Sequence, residues 1–443
     1  MSTDRTSYDV RFADGQVFSG SDRKMKSAAY TAAMVEHHGR AKGEGAVFCL
    51  CQGADVTDTK LYISRREKGG TYHLGRYPNT GPAHATDCEF WELPRETSGL
   101  DGYDISVVQT LDDGTLKVKL RRPLRQNLQP NEAPATPPPT GTPATGRRSQ
   151  TAMTTRGALD LLWQTADLNH WRPGMAGKRH SGVVHYHLVL AARKVKASRD
   201  LIDDVAVFGF SDMPKPHYAD MARRNARVLD SRHAESTPKE RRLILVIGTI
   251  SGVKETVTGY RIVVDGFAHQ RLNLEVSLKL LDGLSRMFPV FGRLRAGSLF
   301  PGERAVGLFH ARIEERPRDG WTRLEADAGA VMAISEQWIP VESSYELTMA
   351  QFLVEQQRSF VKPLRYDATE DVLFPDFLLT DCGPPLLPVE VWGRDDADYE
   401  ARRLVKIEQY KELYPDAPLY EWDATRDDKP PALPPKRSRG VRS

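Results

Sequence analysis

The chain has 443 residues, 40% hydrophobic and 27% charged, which suits a soluble globular protein of roughly two to four domains. A formal charge of +3 is nearly balanced, so electrostatics alone do not announce a nucleic-acid protein. The opening MSTDRTSYDV lacks a signal-peptide core and the longest aliphatic run, Leu243 to Ile250, is too short to span a bilayer, so a cytoplasmic protein with no membrane partner is expected.

Residues 1–127 read as a small α+β module. Tyr8 to Phe18 alternates around Asp14-Gly15 as a hairpin, Arg23 to His37 has helical spacing ending at Gly39, and Gly45–Cys51, Leu61–Arg66 and Tyr72–Tyr77 are strand-like. Cys49 and Cys51 are two apart, so an extended strand points both thiols the same way. After 32 further residues comes His84, followed at i+4 by Cys88, and a helix beginning there stacks the two one turn apart. Cys49, Cys51, His84 and Cys88 thus make a candidate tetrahedral zinc site, closed and therefore structural. The competing reading is buried small residues beside a surface histidine. His73 is a reserve ligand in a strand.

Residues 128–150 hold six prolines among Ala, Thr and Gly and read as an extended tether. From 151 to 338 the pattern is helical, then β-rich: helices at Thr155–Trp171, Val183–Val195, Tyr218–Leu229 and Leu274–Phe288, and strands at Arg242–Ile250, Tyr260–Val264, Ala305–Ile313 and Trp321–Ile334, the last two joined at RPRDG. His180, His185 and His187 diverge on a helix and read as core or surface residues. Gly248 and Gly252 belong to neither a P-loop nor a dinucleotide fingerprint.

Residues 339–424 carry the candidate chemistry. A helix capped by Ser343-Ser344 runs from Tyr345 to Phe360; a strand with Pro375-Asp376, a strand with Glu390, a helix and a strand with Trp422 follow. Tyr399, Arg403, Lys406 and Tyr410 fall on one helical face. Carboxylates on neighbouring strands beside that face can hold a divalent cation against a phosphodiester. The competing reading makes Asp376 a turn residue and pairs Glu390 with Lys406 or Arg403. Residues 425–443, with PPALPP and KRSRGVR, read as a disordered basic tail.

Residues 339–424 resemble the PD-(D/E)xK, or restriction-endonuclease-like, superfamily, which implies an αβββαβ core within an α+β and α/β multidomain protein. By that resemblance Asp376 and Glu390 bind Mg²⁺, Glu346 is the helix acid with Glu355 second, and Lys406 supplies the cation, since Trp392 stands at the usual lysine position. Arg402 and Arg403 are expected to contact the phosphate backbone of DNA. CLC at 49–51, YHLGRYPNTGPAHATDC at 72–88, SSYELTMAQFLVEQQRSFVKPLRYD at 343–367, FPDFLLTD and PVEVWG further resemble a family of uncharacterised bacterial proteins on integrative and conjugative elements. That resemblance implies a mobile-element accessory protein with mobile-element or conjugation proteins as partners. The functional expectation is a metal-dependent DNA endonuclease; the alternative is a non-catalytic DNA- or protein-binding factor that keeps the nuclease-like fold.

Overall fold

A computed structural model describes residues 6–39, 47–53, 57–65, 71–77, 80–92, 103–111, 114–127, 151–237, 239–257, 259–314, 320–364, 366, 375–383, 386–413 and 418–436. The expected tether at 128–150, Arg147 and Arg148 included, and Arg437, Arg439 and Arg442 of the tail lie outside them. Among the described residues no helix is long and apolar enough to cross a membrane.

The N-terminal module has strands β1 (Val10–Phe12) and β2 (Val17–Phe18), helices α1 (Gly20–Met25) and α2 (Ala28–His37), and strands β3 (Val47–Cys49), β4 (Lys60–Arg65) and β5 (Tyr72–Arg76). They form a five-stranded sheet in the order β2-β1-β3-β4-β5. The single helix expected from Arg23 to His37 is broken: Lys26 takes φ 51°, and Ser27 starts a new helix by capping Tyr30 N–H. Nor does a helix hold His84 and Cys88. A short 3-10 turn covers Gly81–Ala83, and Cys88 instead bridges Thr6. The strand expected through Cys51 ends at Cys49, leaving Cys51 in the turn after it.

Next come β6 (Val108–Thr110), β7 (Leu116–Val118), β8 (Arg125–Asn127), α3 (Thr155–Thr165), β9 (His170–Trp171), α4 (Ser181–Ala192), β10 (Val195–Ala197), β11 (Asp200–Leu201), β12 (Ala206–Gly209), α5 (Lys215–Glu235) and β13 (Glu240–Arg242). The helix expected through Trp171 stops at Thr165, where Ala166 caps it and Asp167 takes φ 62°. His180 caps α4 through Nδ1, and His185 packs against Phe208 and Phe210, where burial drives its pKa down to about 4.

β14 (Ile244–Thr256), β15 (Gly259–Val264), β16 (Leu272–Val276), α6 (Leu278–Met287), α7 (Pro289–Ala296), β17 (Arg304–Ile313) and β18 (Thr322–Ile334) build a small closed barrel. β14 pairs antiparallel with β17 through its first half and with β15 through its second. β15 pairs with β16, β16 runs parallel to β18, and β18 returns to β17. The helix expected over Leu274–Phe288 is therefore half strand. LNLEV alternates and joins the barrel, and Ser277 caps a helix that starts only at Leu278.

Short β19 (Pro340–Val341) pairs with β18. It is followed by α8 (Ser344–Glu355), β20 (Phe360–Val361), β21 (Phe377–Leu379), β22 (Leu387–Trp392), α9 (Ala397–Leu413) and β23 (Tyr420–Asp423). The helix expected to reach Phe360 ends at Glu355, because Gln357 adopts φ 54° and turns the chain into β20. The sheet order is β23-β22-β21-β20-β9, antiparallel except for the parallel pair β22 and β23. One face carries Phe360, Phe377, Val389 and Trp422 into the main core; on the other, Val361 and Leu378 join the core of the N-terminal module. The tail expected to be disordered from Thr425 is packed as far as Lys436. Tyr420 and Arg358 donate to the carbonyls of Pro431 and Pro434, and Leu433 rests on the core.

Candidate functional sites: a cysteine-histidine cluster and a buried carboxylate-lysine row

Cys49, Cys51, His84 and Cys88 come together from two separate segments, all four buried, with their ligand atoms within 4.8 Å of one another. The Cys49 and Cys88 sulfurs are 3.7 Å apart, and His84 Nδ1 lies 3.4 Å from Cys51 Sγ and 3.7 Å from Cys88 Sγ. A zinc tetrahedron with ordinary bond lengths has S···S edges of about 3.8 Å and S···N edges of about 3.6 Å. The cluster therefore has the size of a metal's coordination shell.

Two backbone amides reinforce this: Ala85 N–H donates to Cys51 Sγ at 3.3 Å and Phe90 N–H to Cys88 Sγ at 3.4 Å. Such donors favour thiolate over thiol. Without a cation the three sulfurs cannot all ionise. The hydrogen bond with Cys51 pushes the Cys49 thiol up to about 12, the one with Cys49 pushes Cys88 up, and Cys51 alone is driven down by its bond to Cys49. A bound Zn²⁺ removes that conflict, so the donor set fits a metal. With four protein ligands the site would be structural. His73 sits in β5 outside the cluster.

The second site lies along the C-terminal sheet. Glu346 is in the first turn of α8, where Ser343 caps its N–H and its own Oε2 accepts from Glu342 N–H at 3.0 Å. Asp376 immediately precedes β21, and its Oδ2 accepts from Val391 N–H at 2.9 Å, beside Glu390 in β22. Glu390 Oε2 accepts from Lys406 Nζ at 2.8 Å and its Oε1 from Tyr410 OH. The four residues named from sequence thus meet in one region, 6% exposed or less for the three acids. Glu355, the second choice for the helix acid, is exposed.

Sequence reading missed one member. Lys362, just past β20 and 1% exposed, places Nζ 2.8 Å from Glu346 Oε2 and 4.0 Å from Asp376 Oδ1. The available signal was a lysine inside the apolar run Phe360, Val361, Pro363, Leu364, where a charge has to be paired. The result is a mixed row of acids and lysines: Glu346, Lys362, the adjacent carboxylates Asp376 and Glu390, then Lys406. Burial, opposed by Lys362 and aided by Asp376, raises the Glu346 pKa to about 7; burial and then Asp376 raise Glu390 to about 7. Once all three acids ionise they outnumber the two ammonium groups by one, and that charge can be offset by a proton on Glu346 or Glu390 or by a further cation.

Other sequence candidates are taken up elsewhere. Arg403 binds Asp423 at 2.6 Å and lies over Trp392, and Trp392 donates to Glu421 Oε2 at 2.8 Å. Tyr399 packs its ring on Trp392, and Arg402 is exposed on α9. Among the described residues the Cys/His group is the set whose ligand atoms cluster tightly enough for a metal. The carboxylates of the second site are interleaved with ammonium groups instead.

Residues 20–424 match the model of a family described as Protein of unknown function (DUF1173), and the chain belongs to that family. No curated protein and no solved structure matches it.

Proposed function

We propose that this DUF1173 protein is a metal-dependent phosphodiesterase acting on DNA, held together by a structural zinc module and serving a bacterial mobile element. What carries the reading is the convergence of Glu346 from α8, Asp376 from just before β21, Glu390 from β22 and Lys406 from α9 into one row. The order of helix, three antiparallel strands, helix and parallel strand supports a nuclease-like core. Asp376 and Glu390 would hold Mg²⁺, whose contribution is to polarise a phosphate oxygen and acidify water. An ion there would offset the third carboxylate of the row once all three are ionised. The chain's own ammonium groups balance charge that develops on the phosphate.

Nucleic acid as partner gains support from the barrel. Its first, second, third, fifth and fourth strands are neighbours in that order, with helices between the third and fourth, the connectivity of the oligonucleotide-binding barrel. This is support by fold analogy.

The alternative, a non-catalytic binding factor, is favoured by one observation: Lys406 is already paired with Glu390 in an enclosed setting, with Trp392 where a lysine is usual. Cleavage of linear, nicked, branched and single-stranded DNA in Mg²⁺ and Mn²⁺ separates the two. Cutting that Asp376→Ala and Glu390→Ala both abolish, with folding and DNA binding retained, is the expected result. No cutting of any substrate, or cutting that survives both substitutions, rejects the enzyme and leaves the binding factor.

A further inference from the structure

We infer that Lys362, rather than Lys406, is the ammonium group that balances the charge developing at the reacting phosphate. The inference rests on the phosphodiesterase reading above and names the residue that completes it.

The two lysines are held differently. Lys406 Nζ is 2.8 Å from Glu390 Oε2, its side chain is 23% exposed, and it lies over the rings of Trp392 and Tyr410. It closes the outer end of the row and fixes Glu390. Lys362 stands inside the row, between Glu346 and Asp376. The Asp376 oxygen it faces is Oδ1; the other, Oδ2, is turned to the Val391 amide.

The position of Lys362 is also built. Its N–H donates to Asn169 O at 2.8 Å, and the fully buried Asn169 donates Nδ2 to Lys362 O at 3.0 Å. A buried asparagine is thus committed to holding the backbone of this one residue, from a segment far away in sequence. An ammonium group held rigidly between two acids is preorganised for charge arising beside those acids. Trp392 puts an indole where a cation is absent on β22, and Lys362, just past β20 two strands away, supplies it. Lys406 is then a positioning residue acting through Glu390.

The test uses the full-length protein and the DNA substrate that the unsubstituted chain cuts best in Mn²⁺. Lys362→Met, Lys362→Arg, the double variant Glu346→Gln/Lys362→Met and Lys406→Met are compared for cleavage rate, Mn²⁺ affinity by electron paramagnetic resonance, and melting temperature. The double variant removes both members of the closer ion pair, so that Glu346 is not left as an unpaired buried charge if Lys362→Met fails to fold. Loss of one preorganised charge partner predicts cleavage slowed by about 100-fold or more in every folded variant without the Lys362 ammonium. Lys362→Met should bind Mn²⁺ at least as tightly as the unsubstituted chain, because a competing cation has gone. A merely structural lysine would instead lose metal and cleavage together. Lys362→Arg should also fail to restore the rate, since a planar guanidinium does not fill an ammonium site.

Near-normal cutting by any folded variant lacking the ammonium overturns the assignment and leaves the phosphodiesterase reading standing, as does a larger rate loss in Lys406→Met. An unsubstituted chain that cuts nothing overturns both.

Discussion

Replacing Cys88 by serine is the most direct test of the N-terminal cluster. Cys88 contributes one sulfur, 3.7 Å from Cys49 Sγ and 3.7 Å from His84 Nδ1. A serine hydroxyl is a poor zinc ligand at neutral pH and leaves three donors for a tetrahedral ion. Structural zinc contributes on the order of 10–16 kcal/mol in finger peptides, against about 5–15 kcal/mol for the net stability of a whole domain. Loss of even a third of the metal's contribution, on the order of 4 kcal/mol, should lower the melting temperature by about 8–16 °C at the sensitivity of a 150–250-residue domain. The core around the cluster includes Phe12, Val47, Leu61, Phe90 and Trp91, and also Val361 and Leu378 of the C-terminal sheet, so the drop should register in the whole molecule. The assay is metal content by mass spectrometry beside scanning calorimetry, with and without chelator. One zinc per chain, lost together with thermal stability in Cys88→Ser, is expected. Protein purified without zinc, or a Cys88→Ser variant that keeps both its zinc and its melting temperature, would refute the reasoning.

Other consequences can be measured independently. Glu346 and Glu390 have folded pKa values raised to about 7 from 4.5, so the native state binds more protons than the unfolded chain between those values. Stability should accordingly fall as pH rises through that window, and Glu390→Gln should flatten part of the slope in denaturant titrations; a profile identical to that of the unsubstituted protein would contradict the burial of this acid. Arg358, with a side chain 3% exposed, makes paired hydrogen bonds to Asp381 and donates to Pro434 O. Arg358→Met should cost about 3 kcal/mol by stranding Asp381 and should open residues 425–436 to limited proteolysis, an effect absent if the tail is held by apolar contacts alone.

What could be read in advance follows from how local each signal is. The barrel's first strand was legible because Ile244 to Ile250 is apolar on both faces and has no helical alternative of that length. Leu274 to Phe288 was misread because a period-two strand runs into a helical repeat with Ser277 alone marking the change. The extension of α8 to Phe360 had the same origin: an apolar residue continued the spacing, and the left-handed turn at Gln357 gave no glycine to announce it. For the Cys/His cluster the four residues were legible while the local structure was not, since spacing names ligands whether a helix or a bridged loop carries them. Asp376, Glu390 and Lys406 could be named because adjacent strands and one helix face put them together. Lys362 could not, because its place depends on Asn169, 193 residues away.

That separation also bears on how the molecule is made. β9 is the edge strand of the C-terminal sheet, and it leaves the ribosome long before β20, the strand it pairs with. At about 5–20 residues per second the wait is roughly 10–40 s. Throughout it, the side of the N-terminal module that will cover Val361 and Leu378 has nothing to rest on. The nascent chain therefore carries an open apolar surface late into synthesis, and its yield in a cell should depend on chaperones that shield that surface until the last strands arrive.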